Sequence, residues 1–401
     1  MTVPKITTQK LQRLAAVATL VALAAAAFTV ADGMGAAASR AGGPFGKQIC
    51  GGASKYFKPH YKSTIPTLTG AATSLSGAGA TFPAPVYSYW TGAYNKDTGV
   101  QVAYQSIGSG GGIAQIQAKT VDFGQSDAPM SNAQLAAAQG GPLLHIPMVQ
   151  GAVVVTYNVP GLGSGMKFTG DVIGKIFAGK ITKWNDAELK ALNPDLNLPD
   201  MPIAVAHRSD GSGTTAIFTR YMSQTSPIWV SALGGQTQSQ GTTVAWPVGI
   251  GGRGNEGVSG VVGQTQGAIG YVELTYALEQ KLPYGQVKNH AGNFIQPCIA
   301  TAAQAANNAR FASDLRTWIT NLPSKNAYPI AGTSFALVYV NQADQAKAKA
   351  LVNFFNWALT KGQDLAPDVH YAPLSKTLQK RAYAQLGKIL YNGKPLFKVG
   401  T

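Results

Sequence analysis

The sequence predicts an α/β fold arranged as two lobes. Three observations predict it. Strand patterns alternate with helix patterns along most of the chain, which argues for helices packed on mainly parallel sheets. Two long apolar runs, "IPMVQGAVVVTYNVPG" and "YPIAGTSFALVYV", read as strands buried on both faces. At 401 residues the chain is long enough for one large or two medium domains with a sizeable core. Its composition, 45% hydrophobic and 12% charged, belongs to a packed protein rather than a disordered one.

The first segment reads as an export signal over residues 1–38. Lys5, Lys10 and Arg13 precede an apolar stretch over 14–31, and small residues follow at 35–39. The alternative is a retained anchor, since the stretch is about long enough to span a bilayer. Residues 39–75 are rich in Gly, Ser, Thr, Lys and Pro and form an extension of uncertain order. Export would permit a disulfide between Cys50 and Cys298, and two separate thiols are the alternative.

Regular patterning starts near Ser76. "GAGATFPAPVYSYWTGAYNKDTG" reads as a Gly-rich turn and then a helix with Tyr87, Trp90 and Tyr94 near one face. "VQVAYQSI" alternates as a strand. The glycine loop 108–112 follows, with a helix expected from about Ile113. "VDFGQSDAP" is a short strand ending in a turn. Past Pro160, "GDVIGKIFAGKITKWND" reads as helical and "PIAVAHRSDGSGTTAIFTRYMSQ" as strand, loop and helix. "GAIGYVELTYALEQ" is a strand running into a helix. "QAKAKALVNFFNWALTKGQDLA" is amphipathic, with Leu351, Phe354, Phe355 and Leu359 at helical spacing. The two apolar strands are the natural crossovers. One lobe would comprise 76–154 and 334–401, and the other 155–333.

The charge of +15 suits an anionic ligand or surface. Lys and Arg are scattered with no run of five, so nucleic acid is not the expected partner. Three stretches share one design: Gly77–Phe82, Gly108–Gly112 and Asp210–Thr215. Each places small residues, a hydroxyl and backbone N–H groups before a helix. Helix starts carry unsatisfied donors and partial positive charge, which makes them anion sites. Ser and Thr are also ordinary N-caps, so one such loop says little. Three of them beside Arg208 say more. A guanidinium can give a tetrahedral oxyanion two parallel hydrogen bonds, and Asp210 could hold its plane.

Asp127 is the unexpected residue, because a carboxylate repels an anion. It fits if the anion carries a proton, since a carboxylate can only accept. Hydrogen phosphate donates such a proton and sulfate at neutral pH does not. The plain alternative is an Asx turn before Ala-Pro.

On these stretches the chain resembles the periplasmic phosphate-binding proteins of phosphate-specific ABC transporters. The similarity runs in order through "GAGATFPAPVY", "YQSIGSGGGI", "VDFGQSDAP", "GKITKWND", "HRSDGSGTT", "WPVGIGGRGNEGV", "GAIGYVE" and "FFNWAL", over about residues 75–395. The resemblance implies a type II periplasmic-binding fold, each lobe a mainly parallel sheet flanked by helices, closing on one phosphate in the cleft. It implies phosphate binding by Thr81, Phe82, Ser109, Asp127, Arg208, Ser212, Gly213 and Thr214, with Asp210, Gly108 and Gly110 in support. It further implies a monomer in the periplasm, no metal or cofactor, and delivery of phosphate to the permease subunits of an ABC importer.

An enzyme is the competing class. The chain has no G-x-S-x-G or H-E-x-x-H motif. Its five histidines show no metal-ligand spacing. A phosphatase would need a nucleophile or metals, and neither is legible. A secreted scavenger, or a receptor for another protonated oxyanion such as arsenate, would use the same residues.

Overall fold

The computed structural model describes Cys50 and residues 62–397. The export signal read over 1–38 lies outside these residues. Cys50 is joined to Cys298 in a disulfide, which decides between the two readings of the cysteines. Within the extension, Leu68 exchanges two backbone bonds with the Asn353 side chain, and Ile65 and Leu68 pack on the core.

An eight-stranded sheet organises the chain. Its strands are β1 (Ser74–Gly79), β2 (Gln101–Ser106), β3 (Phe123–Ser126), β4 (Leu143–Asn158), β5 (Ala204–Arg208), β6 (Ile250–Gly252), β7 (Ala268–Glu273) and β8 (Ala331–Tyr339). Their spatial order is β2-β1-β3-β8-β4-β7-β5-β6. β1 lies parallel to β2 and β3, and β5 parallel to β6 and β7. Parallel neighbours need helical crossovers. These are α1 (Ala84–Thr98), α2 (Ser109–Gln117), α3 (Gly213–Thr225) and α4 (Gly254–Gln264). The fold is the two-lobed α/β class expected from the alternation of elements.

β4 ties the halves of the sheet together. Leu143–Ala152 pairs antiparallel with β8, and Val153–Asn158 pairs antiparallel with β7. Fourteen residues of β4 and all nine of β8 are buried. This is why both sequences read as unbroken apolar runs rather than alternating ones. Tyr87, Trp90 and Tyr94 bury one face of α1. They meet Phe354 of α5 (Gln345–Ala358), whose Leu351 and Phe355 are also buried.

Three local expectations are corrected. Gly77 and Gly79 end strand β1 rather than forming a turn. A side chain at Gly77 would occupy the place of the Phe123 ring. The helix expected near Ile113 begins at Ser109, so Gly110–Gly112 form its first turn. A Cβ at Gly112 would lie 2.5 Å from Gly79 Cα, and one at Gly110 would lie 3.1 Å from Gly211 Cα. Close backbone approach, not loop freedom, demands those glycines. The helical reading of 170–186 holds only for Gly170–Phe177, where Gly179 at φ +69° ends it.

Candidate functional site

Each of α1 to α4 begins just after the carboxyl end of a parallel strand, where α/β sheets place their ligands. Four helix starts therefore gather at one place, and hydrogen bonds join them. Ser109 Oγ accepts from the Gly213 N–H at 3.0 Å and the Asp127 N–H at 3.3 Å. One buried hydroxyl thus ties α2, α3 and the end of β3. The Gly110 N–H donates to the Gly211 carbonyl at 2.9 Å. Gly108, at φ +85°, leads into α2 against Asp210 and Gly211. On the other side, Thr81 Oγ1 accepts from the backbone N–H of Asn255 at 3.2 Å and its Nδ2 at 2.7 Å. The same Nδ2 reaches Thr214 Oγ1 at 3.2 Å. Ser212 caps α3 by accepting from the Thr215 N–H at 3.0 Å.

A count of hydrogens shows what this arrangement can do. At Thr81, Ser109, Ser212 and Thr214 an N–H group already occupies the hydroxyl as acceptor. Each hydroxyl has one hydrogen to donate, and that of Ser109 goes to Asp127 Oδ2 at 3.4 Å. The Phe82 carbonyl is taken by the Tyr371 hydroxyl at 2.5 Å, and residue 83 is proline, so the N–H groups of Thr81 and Phe82 are the donors left in that loop. Arg208 is buried, and two of its nitrogens clamp Asp210, Nε to Oδ1 at 2.7 Å and Nη2 to Oδ2 at 2.5 Å. Its Nη1 is buried without a partner. A buried cationic donor in that state is costly unless a ligand meets it. The set is rich in donors aimed for an oxyanion.

The one acceptor among them is Asp127, 2% exposed. Its Oδ1 accepts from Ser334 Oγ at 2.5 Å, and its Oδ2 accepts from Ser109 Oγ at 3.4 Å. Burial pushes this carboxyl up to about 7, against the Ser334 bond, the charge of Arg208 and the Ser109 bond. Asp210 goes the other way. Burial raises it, but the Arg208 bonds and charge, with the Gly254 N–H, hold it below the ordinary carboxylate value. The two carboxylates thus differ: Asp210 is a fixed counter-charge to Arg208, whereas Asp127 is bonded to the neutral hydroxyls of Ser334 and Ser109.

Every residue singled out from the sequence is in this cluster. Asn255, which bridges Thr81 and Thr214, is an addition. Its signal was present in "GGRGNEG", a fourth helix start with the same small and polar residues. Ser334 had no local signal, because it is an ordinary residue within a buried strand. Glu273 also lies close by. Its Oε2 is 2.9 Å from the Tyr371 hydroxyl, which is already bonded to the Phe82 carbonyl. One hydroxyl hydrogen cannot serve both acceptors, so a protonated Glu273 completes the chain. Burial does push Glu273 up to about 8. Among the described residues no group of three or more His, Cys, Asp or Glu could hold a metal ion.

The model of a PBP superfamily domain matches residues 66–361. A protein of Xylella fastidiosa (strain Temecula1), named phosphate-binding protein PstS, is 45% identical over 316 residues, 78% of this chain and 85% of the relative. The protein of that name from Haemophilus influenzae is 43% identical over 321 residues, 79% of this chain and 94% of the relative. The crystal structure of a phosphate binding protein from Stenotrophomonas maltophilia superposes with a TM-score of 0.62 at 19% identity, covering 78% of this chain and 94% of that one. At that identity the superposition speaks for the fold alone.

Proposed function

This chain belongs to the PstS phosphate-binding proteins of the PBP superfamily, and we propose that it captures one dehydrated inorganic phosphate between its lobes. The observation that carries the reading is the donor set closed around a single acceptor. The hydroxyl hydrogens of Thr81, Ser212 and Thr214, helix-start N–H groups and the buried Arg208 Nη1 meet the oxygens of a tetrahedral dianion. Asp127 takes the proton that the anion still carries. Thr81, Phe82, Ser109, Arg208, Ser212 and Thr214 donate, and Gly213, whose N–H is held by Ser109 Oγ, closes the other side. Asp210, Gly108 and Gly110 support them. Each charge-assisted bond contributes about 1.5–3 kcal/mol, most of which offsets dehydration and the ordering of the lobes.

The lobes proposed are 76–154 with 334–401, and 155–333. Closure brings Gly213 onto Ser109 and shifts a population rather than creating a new state. The closed shape is what the permease of an ABC importer would recognise. The chain acts as a monomer that binds and delivers without turnover. An exported protein in the periplasm suits both the N-terminal apolar stretch and the Cys50–Cys298 bridge, since disulfides persist in oxidising compartments.

Equilibrium dialysis of radiolabelled phosphate against the unfolded, stripped and refolded protein should saturate at one per chain. A refolded protein with no saturable uptake would overturn the reading. Closure itself is tested at Gly213. An alanine there places a Cβ 2.6 Å from both Asp127 Oδ2 and Ser109 Oγ. Gly213→Ala should weaken phosphate binding about 10- to 100-fold by overpacking the closed form. Its thermal midpoint without phosphate should move little, because open lobes relieve the clash. A large drop in that midpoint would mean that the contact is part of the resting fold.

A further inference from the structure

We propose that Ser334, aimed by Gln125 and Tyr87, is the positioning residue that decides which oxygen of Asp127 faces the ligand. The inference rests on the phosphate reading above and adds the origin of its selectivity. β8 runs antiparallel to β3, with Phe335 opposite Ser126 and Ala336 opposite Gln125. This register sets Ser334 beside Asp127 at the end of β3.

The hydrogens in the chain can be assigned one by one. The Tyr87 hydroxyl donates to Gln125 Oε1 at 2.8 Å. With its oxygen turned to Tyr87, the amide points its nitrogen at Ser334, and Nε2 donates to Oγ at 2.8 Å. Ser334 then accepts from Gln125, and its only hydrogen goes to Asp127 Oδ1 at 2.5 Å. Tyr87, Gln125 and Ser334 are all 0% exposed, so water does not compete for these bonds. Tyr87 is held by stacking on Tyr104, with ring centroids 4.5 Å apart. Oδ1 is therefore committed as an acceptor of a protein hydrogen. Oδ2, beside Gly213, accepts only the longer 3.4 Å bond from Ser109 Oγ and is the oxygen with room for a ligand hydrogen.

This direction has two consequences. A hydrogen bond to the charged form favours the carboxylate, and Ser334 is the strongest of the influences opposing burial at Asp127. The ionised Oδ2 then accepts a ligand proton and repels an anion that has none. Without Ser334, Asp127 would be protonated more often, and a protonated Oδ2 could donate to sulfate. The relay thus strengthens phosphate binding and weakens sulfate binding at the same atom. A merely structural serine would affect both anions alike.

The test is calorimetric binding of phosphate and of sulfate at pH 8 to the wild type, Ser334→Ala, Ser334→Thr and Tyr87→Phe. Ser334→Ala should bind phosphate about tenfold more weakly and sulfate more tightly, narrowing the ratio of the two dissociation constants about 100-fold. Ser334→Thr keeps the hydroxyl and should restore the ratio. Tyr87→Phe keeps the stacked ring, frees Gln125 to turn over, and should narrow the ratio in the same direction. It carries the test if Ser334→Ala does not fold. An unchanged ratio in Ser334→Ala, or in Tyr87→Phe where that variant stands in, overturns the relay. Failure of the wild type to bind phosphate overturns the functional reading itself, and is seen before any variant is compared.

Discussion

Asp127→Asn should admit sulfate. In the wild type a sulfate would press an unprotonated oxygen against the buried carboxylate, with no hydrogen between them. A site built around one hydrogen bond can reject the analogue that lacks it by roughly 10⁴–10⁵. Asparagine removes the charge and offers an amide that can accept from hydrogen phosphate or donate to sulfate. Phosphate affinity should therefore fall only about tenfold, the difference between a charged and a neutral acceptor. Sulfate affinity should rise, and the discrimination should shrink by about two orders of magnitude or more. Competition of sulfate against labelled phosphate measures both. Sulfate rejection as strong as in the wild type would remove Asp127 from the selective role.

Arg208→Ala should cost more phosphate affinity than any other single change. The guanidinium is buried, gives two nitrogens to Asp210 and keeps Nη1 without a protein partner. Truncating one partner of a buried, hydrogen-bonded charge pair costs about 2–5 kcal/mol, or roughly 30- to 5,000-fold in affinity. Part of that loss comes from Asp210, left near the anion without its counter-charge. Arg208→Lys restores charge but not the planar fork, so it should recover only part of the loss. Asp210→Asn should be milder, since Arg208 remains. Wild-type affinity in Arg208→Ala would place the anion site elsewhere.

Much of this site was legible in the sequence because its chemistry is local. A helix start with glycine and a hydroxyl is written in consecutive residues, as at Ser212-Gly213-Thr214. The amphipathic helix through Leu351, Phe354 and Phe355 was legible by period, and β4 and β8 by unbroken apolarity. The misreadings share a cause. Gly77, Gly110 and Gly112 look like loop residues, yet they are small because Phe123 and the backbone of Gly79 and Gly211 need the space. Such contacts join elements that are distant in sequence. Ser334 is the sharper case. It lies 207 positions from Asp127, and only the antiparallel pairing of β8 with β3 makes them partners. Asn255 lay between these cases, with a readable helix start whose bridging role depends on where Thr81 and Thr214 fold.

The central claim is that this cleft holds one tetrahedral anion and reads its proton. The most direct test is calorimetry of the mature protein, unfolded and refolded to strip copurified ligand, titrated in parallel with phosphate and with sulfate. The account predicts tight one-to-one binding of phosphate and no heat from sulfate. Equal binding of both anions would contradict the proton-reading role of Asp127, and a folded protein that binds neither would contradict the site.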